Sequence, residues 1–157
     1  MKEEKELVFV YGALRRGAAH AWRMERGEFL GGGSVRRRLY AIDWYPGVVV
    51  DDSGGEVRGE VYAVDGKLLG ELDEFEGIGA GGKGGDEYER VSVVVEMDEG
   101  ETVEALIYEF RRSVEGREAV ESGDWIASGL GGEGGAVKLG RGRRFQFEGR
   151  GEEDARI

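Results

Sequence analysis

The sequence predicts an α+β fold around a small, strongly curved or closed sheet. Three observations lead there. About six short runs read as strands from an apolar or alternating pattern, each bounded by glycine-rich or polar turns. Most of these runs lie close enough in sequence to pair as hairpins, and two or three stretches between them carry helical periodicity. A length of 157 residues suits one domain with a core of its own.

Taken in order, residues 1–6 are a charged lead-in. Residues 7–11 are rich in β-branched and aromatic side chains and read as a buried strand. Gly12, with no Cβ, then lets the backbone turn sharply and approach a ligand. After Gly17, the residues Ala18, Ala19, Ala21, Trp22 and Met24 give a short helix to about Glu25. Strand, glycine turn and helix start gather several backbone N–H groups at one spot. That suits either an anion site or an ordinary strand-to-helix turn. Residues 29–33 read as a connection. Residues 34–42 read as a strand whose Arg36-Arg37-Arg38 either guards a solvated edge or meets a phosphate.

Trp44-Tyr45-Pro46-Gly47 holds the only proline and reads as a turn before a short strand over 48–50. Residues 51–55 turn again, and 57–64 alternate as a strand. Asp65 is placed to cap a helix over 67–76, with Gly77 as its stop. Residues 78–85 form a glycine loop. Residues 90–97 and 103–110 pair as a hairpin across Asp98-Glu99-Gly100. Residues 114–123 read as helix or turn. From Gly129 the composition shifts to Gly, Arg and Glu. The expected organisation is a domain over 1–128 followed by a flexible tail over 129–157.

Composition narrows the chemistry. With no cysteine, disulfides and thiolate catalysis are excluded. His20 is the only histidine, so no His-based metal cluster forms, and it reads as a surface or core residue. A net charge of −11 argues against nucleic acid or anionic membrane as partner. No apolar run approaches membrane-spanning length, and Met1-Lys2-Glu3-Glu4-Lys5-Glu6 lacks the apolar segment of a signal peptide. The expectation is a cytoplasmic protein that uses no metal and no cofactor.

The helix over 67–76 carries the sharpest signal. At about 100° per residue, Leu68, Leu72 and Phe75 share a face with Leu69 at its margin. Glu76 falls inside this apolar stripe. Glu74 points the other way, and Glu71 and Asp73 lie at the borders, where solvent is expected to reach them. A carboxylate on an apolar face is costly without partners or a function, and the helix C-terminus disfavours its charge. Both effects would raise its pKa toward that of a general base. The alternative is that the last turn departs from helix geometry and Glu76 reaches water. The following residues, Gly77-Ile78-Gly79-Ala80-Gly81-Gly82, match a dinucleotide-binding spacing. They follow a helix and lead into a strand, the reverse of what that motif needs. A lid or a plain long loop fits better.

Several segments, in order from Phe9 to Trp125, resemble the γ-glutamylcyclotransferase-like superfamily (AIG2-like, BtrG-like). They are Val10-Tyr11-Gly12-Ala13-Leu14-Arg15-Arg16-Gly17, Tyr45-Pro46-Gly47, and Gly59-Glu60-Val61-Tyr62 with Asp65. Further along come Leu72-Asp73-Glu74-Phe75-Glu76-Gly77, Tyr88-Glu89-Arg90 and Ser122-Gly123-Asp124-Trp125. The resemblance implies a small mixed, mostly antiparallel β-barrel with flanking helices and a cavity beside the glycine turn. It implies a small-molecule γ-glutamyl substrate that cyclises to 5-oxoproline and releases its amine, with no cofactor. The family's catalytic glutamate falls on Glu76, the residue the helical wheel also singles out. Substrate binding is implied for the backbone of Tyr11, Gly12, Ala13 and Leu14 and for Tyr88, while Arg90 either lines or braces the site.

Two departures stand out. Ala13 replaces the family's usual Ser or Thr, removing a hydroxyl but keeping the backbone donor. The loop between Gly77 and Tyr88 is longer and richer in glycine than is typical. The early helix and the Ser-Gly-Asp-Trp ending are similar to a bacterial branch with no clear activity, some of whose members lack the glutamate. A non-catalytic protein that binds a small carboxylated ligand on the same fold is therefore the competing expectation.

Overall fold

A computed structural model of the chain describes residues 5–51, 55–78 and 87–130. Five strands close into a barrel in the order β1 (Glu6–Val10), β5 (Val57–Val64), β2 (Glu28–Val35), β6 (Tyr88–Met97) and β7 (Thr102–Phe110). Neighbours are antiparallel except at the seam, where β1 runs parallel to β7 with Val8 opposite Leu106. A second, antiparallel sheet has the order β4 (Pro46–Val49), β3 (Arg38–Ala41), β8 (Glu118–Ala119). The helices are α1 (Gly66–Phe75), the single turn α2 (Trp125–Ser128) and a 3-10 turn at Ala21–Met24.

Strand β1 is apolar at consecutive positions because both of its faces are covered. Phe9 joins Val35, Val61, Val95, Ile107 and the fully buried Trp125 of α2 in the cluster that fills the barrel. Val8 and Val10 face the other way and join Leu68, Leu72 and Phe75 of α1. The barrel thus holds α1 against β1, and α1 brings its C-terminus to the end of the same strand. Asp65 caps α1 by accepting from Leu68 N at 2.8 Å, and Gly77, at φ +78°, ends it. Helix α1 and strand β5 lie within one residue of expectation, and the β6–β7 hairpin is present.

Other expectations are corrected. The helix after Gly17 is reduced to the 3-10 turn, because residues 13–20 fold into tight turns closed by His20 N donating to Ala13 O at 2.9 Å. Residues 29–33 are not a connection but part of β2. Their glycines let β6 approach: a Cβ on Gly33 would meet Glu96 O at 2.8 Å and Val95 Cγ1 at 2.9 Å. The single strand expected over 34–42 is two, broken at Arg36-Arg37, so that β3 belongs to the second sheet. Pro46 and Gly47 open β4 rather than forming a turn, a position where proline's missing N–H costs no ladder bond. Residues 114–123, expected as helix or turn, hold turns on either side of the two-residue strand β8 and no helix. Two arginines of the triplet are paired with carboxylates, Arg37 with Glu109, and Arg38 with Asp51 and Glu121. The loop expected over 78–85 falls outside the described residues from 79 on, and the tail expected over 129–157 does so from 131 on.

Candidate active site

Strand β1 runs straight into the turn that sequence singled out, and α1 ends beside it. The structure brings Tyr11, Gly12, Ala13, Leu14, Glu76 and Tyr88 to one cleft, completed by Pro46 and Tyr108. Arg90 is not among the cleft-lining residues. It lies beneath, its NH1 donating to Asp73 Oδ2 at 2.6 Å.

The turn is held from three sides. Arg15 Nε donates to Glu60 Oε2 at 3.1 Å, and its NH1 donates to Asp124 Oδ1 at 2.9 Å. Arg16 N donates to the other Glu60 oxygen at 2.9 Å. These contacts fix the turn to β5 and to the cap of α2. Over the top lies the Pro46 ring, so close that a Cβ on Gly12 would stand 2.6 Å from Pro46 Cγ. Gly12 O accepts from Arg15 N and Ala13 O from His20 N, whereas the amides of Ala13 and Leu14 meet no acceptor among the described residues. Those two donors are available to an anion.

Glu76 is the C-cap of α1 and only 8% exposed, as the helical wheel anticipated. Its charge raises the pKa values of Tyr11, Tyr88 and Tyr108, which locates it among all three rings, although burial is the larger cause for each. The hydroxyls are committed elsewhere. Tyr11 donates to Tyr108 O at 2.7 Å, Tyr88 to Pro46 O at 2.6 Å, and Tyr108 to Asp73 Oδ1 at 2.7 Å. With pKa values pushed above the ordinary 10.0, these phenols stay protonated near neutral pH.

Asp73 corrects the sequence reading. It is 7% exposed, not at a solvated border, because Arg90 and Tyr108 reach it from β6 and β7. His20 does not line the cleft. It packs on Phe75 and Trp44, with ring centroids 5.1 and 5.7 Å apart, and burial with the nearby Arg23 charge lowers its pKa from 6.5 to about 4.

Sequence reasoning did not select Pro46 or Tyr108 for the site. Pro46 was visible in the Tyr-Pro-Gly segment. Tyr108 pairs with Arg90 across the β6–β7 hairpin, so hairpin register would have found it. The cleft has a volume of about 30 Å³, enough to hold water. A larger hollow of about 500 Å³ lies along β2, β6 and β7 near Ser34, Arg37, Ser92 and Glu104. Volume alone would favour it, but it holds no glycine turn, and its Arg37 is already paired with Glu109. Among the described residues no group of three metal-ligating side chains is arranged around a common point, and no helix is long and apolar enough to cross a membrane.

Fold and cleft define a class: a small mixed-barrel protein in which a buried helix-capping carboxylate faces a backbone turn. A family model described as gamma-glutamyl cyclotransferase, AIG2-like, matches residues 8–127, and the chain belongs to that family. It is 35% identical over 120 residues to the gamma-glutamylcyclotransferase family protein YtfP of Escherichia coli K12, covering 76% of this chain and 95% of that protein. It is 40% identical over 81 residues to the human gamma-glutamylaminecyclotransferase, covering 45% of this chain and 52% of that one. The crystal structure of an AIG2-like protein from Mus musculus superposes with a TM-score of 0.60 at 26% identity, covering 71% of this chain and 82% of that chain.

Proposed function

We propose that this protein is a γ-glutamyl cyclotransferase, converting a γ-glutamyl amine or γ-glutamyl amino acid to 5-oxoproline and a free amine, with Glu76 as general acid and base. The observation that carries the reading is the placement of buried Glu76 across one cleft from the Ala13 and Leu14 amides. Family membership supports it, since family members are named for this reaction.

In this mechanism the turn amides hold the substrate's α-carboxylate and so fix the γ-glutamyl chain. Ionised Glu76 takes a proton from the α-ammonium. The freed amine attacks its own γ-carbonyl, forming the lactam C–N bond, and the original γ-amide C–N bond breaks. Glu76 returns its proton to the departing nitrogen, the ring nitrogen sheds its second proton to the same amine, which leaves as an ammonium, and no cofactor enters. Holding amine and carbonyl in contact supplies the main acceleration, worth roughly 7–11 kcal/mol in well-oriented intramolecular reactions. Because the cleft is narrow, its lining side chains must part to admit substrate. Ala13 contributes its backbone donor only.

Ala13, which brings no hydroxyl to the turn, is the ground for a second reading, a carboxylate-binding protein without turnover. One experiment separates the two. 5-Oxoproline release is measured on γ-glutamyl amines, γ-glutamyl dipeptides and glutathione, wild type beside Glu76→Gln. The cyclotransferase reading expects turnover that drops by about 10²- to 10⁴-fold in the variant. Turnover retained in Glu76→Gln removes Glu76 from the mechanism. Thermal stabilisation by ligand without product on any substrate favours the binding protein.

A further inference from the structure

The turn that presents the Ala13 and Leu14 amides is built around Arg15. Its backbone N donates to Gly12 O at 3.0 Å and so closes the turn over the two residues between them. Its side chain lies outside the cleft lining, 12% exposed, between two carboxylates: Glu60 Oε2 at 3.1 Å and Asp124 Oδ1 at 2.9 Å. A guanidinium kept for a substrate anion would stand without a counter-charge. Arg15 has two, so what it gives the turn is position rather than charge. A planar fork bonded through Nε and NH1 to separate carboxylates is fixed in direction as well as in place.

The two carboxylates come from different parts of the fold. Glu60 belongs to β5 and sits opposite Val10 in the barrel. Asp124 lies 109 residues from Arg15 and caps α2, its same Oδ1 accepting from Ala127 N at 3.0 Å. This cap is itself anchored on both sides. Trp125, fully buried, fills the barrel with Phe9, Val61 and Ile107. On the other side Arg58 N donates to Gly123 O at 2.8 Å, and Gly123, at φ +72°, lies so close to Glu56 O that no Cβ fits. An unbroken run of contacts thus leads from the barrel core through Trp125, Asp124 and Arg15 to the turn.

We propose that Asp124, though outside the cleft, is a positioning residue for carboxylate binding: through Arg15 it holds the Ala13 and Leu14 amides in their binding orientation, so the site is complete only with α2 docked. This rests on the reading of the turn as the carboxylate subsite of a cyclotransferase. Asp124 touches no substrate and moves no proton. It is the wetter of the two carboxylates, 28% exposed against 10% for Glu60, so its replacement leaves Arg15 one partner and a route to water.

Two variants separate this role from helix capping. Asp124→Ser keeps a preferred N-cap but removes the carboxylate facing Arg15, whereas Asp124→Glu keeps a carboxylate for Arg15 on a side chain that is not a preferred cap. On the γ-glutamyl compound that wild type turns over fastest, Asp124→Ser is expected to raise KM about tenfold with little change in kcat. Asp124→Glu should restore most of that loss. An unchanged KM in Asp124→Ser, or a KM as high in Asp124→Glu, overturns the proposal. A measurement on wild type alone needs no variant to fold. Coupling between sites is reciprocal, so saturating 5-oxoproline should slow hydrogen exchange at the Ala127 amide, and exchange left unchanged overturns the proposal too. If wild type turns over no γ-glutamyl compound, the cyclotransferase reading fails separately, and calorimetry with 5-oxoproline decides the role of Asp124. Weaker binding by Asp124→Ser than by wild type and Asp124→Glu sustains it; equal affinities, or no binding by any of the three, overturn it.

Discussion

Replacing Asp73 by Asn tests whether the floor of the cleft depends on a buried charge pair. The asparagine side chain would keep an oxygen for the Tyr108 hydroxyl but leave the Arg90 guanidinium without its counter-charge. In the wild type the Arg90–Asp73 contact is 2.6 Å, with side chains 17% and 10% exposed. Removing one partner of such a pair costs about 3–5 kcal/mol, because the other charge stays desolvated. The residual exposure of Arg90 gives it a route to water, so the lower end, about 3 kcal/mol, is the expected loss. Taking a urea m-value of about 2 kcal/mol per molar, the unfolding midpoint falls by about 1.5 M. The companion is Arg90→Gln, and the double variant should lose less than the sum of the two by roughly 1–3 kcal/mol. A midpoint shift below about 0.5 M with no coupling in the cycle would refute the argument, since that is how a surface pair behaves.

Two further outcomes are expected. His20 is the only histidine, so its imidazole gives one NMR titration, with a midpoint at about 4. Between pH 6.5 and about 4 the unfolded chain binds a proton there that the folded chain does not, so stability falls as pH drops through this window. His20→Phe should flatten that slope, and a wild-type midpoint near the ordinary 6.5 would contradict the burial argument. Gly12→Ala places a Cβ 2.6 Å from Pro46 Cγ, and shifting the ring costs roughly 1–3 kcal/mol while disturbing the turn. A lower urea midpoint and a lost 5-oxoproline signal are expected. Gly70→Ala is the control: it sits in α1 with nothing within 4 Å and should stabilise by roughly 0.5–1 kcal/mol.

Which parts were legible in the sequence follows from where local and tertiary signals agree. Strand β5 alternates well enough in sequence and α1 carries its own cap and stop, so both could be read within a residue. Strand β2 could not. Its Gly31-Gly32-Gly33 has no strand propensity, and the segment is extended because β6 packs where side chains would stand. The same limit hid Asp73. A helical wheel orders residues by angle about one axis, and at that angle a border residue becomes buried or exposed according to what lies opposite. Here β6 and β7 supply an arginine and a tyrosine that draw Asp73 inward. Glu76 was legible for the opposite reason, since its nearest neighbours on the wheel, Leu69 and Leu72, are apolar and local in sequence.

The proximity of Asp73 and Glu76 bears on how the cleft divides its charge. Three residues apart, they lie on one side of the last turn of α1 and both are buried. Asp73 is compensated by Arg90 and the Tyr108 hydroxyl, beneath the cleft rather than in it. The three tyrosine protons point to Tyr108 O, Pro46 O and Asp73, and burial holds the phenols neutral. The rings therefore form a wall that neither supplies nor removes a proton near neutral pH. In the proposed cyclotransferase mechanism this leaves proton transfer to Glu76 among the described lining residues, while Asp73 and Arg90 pair beneath the cleft.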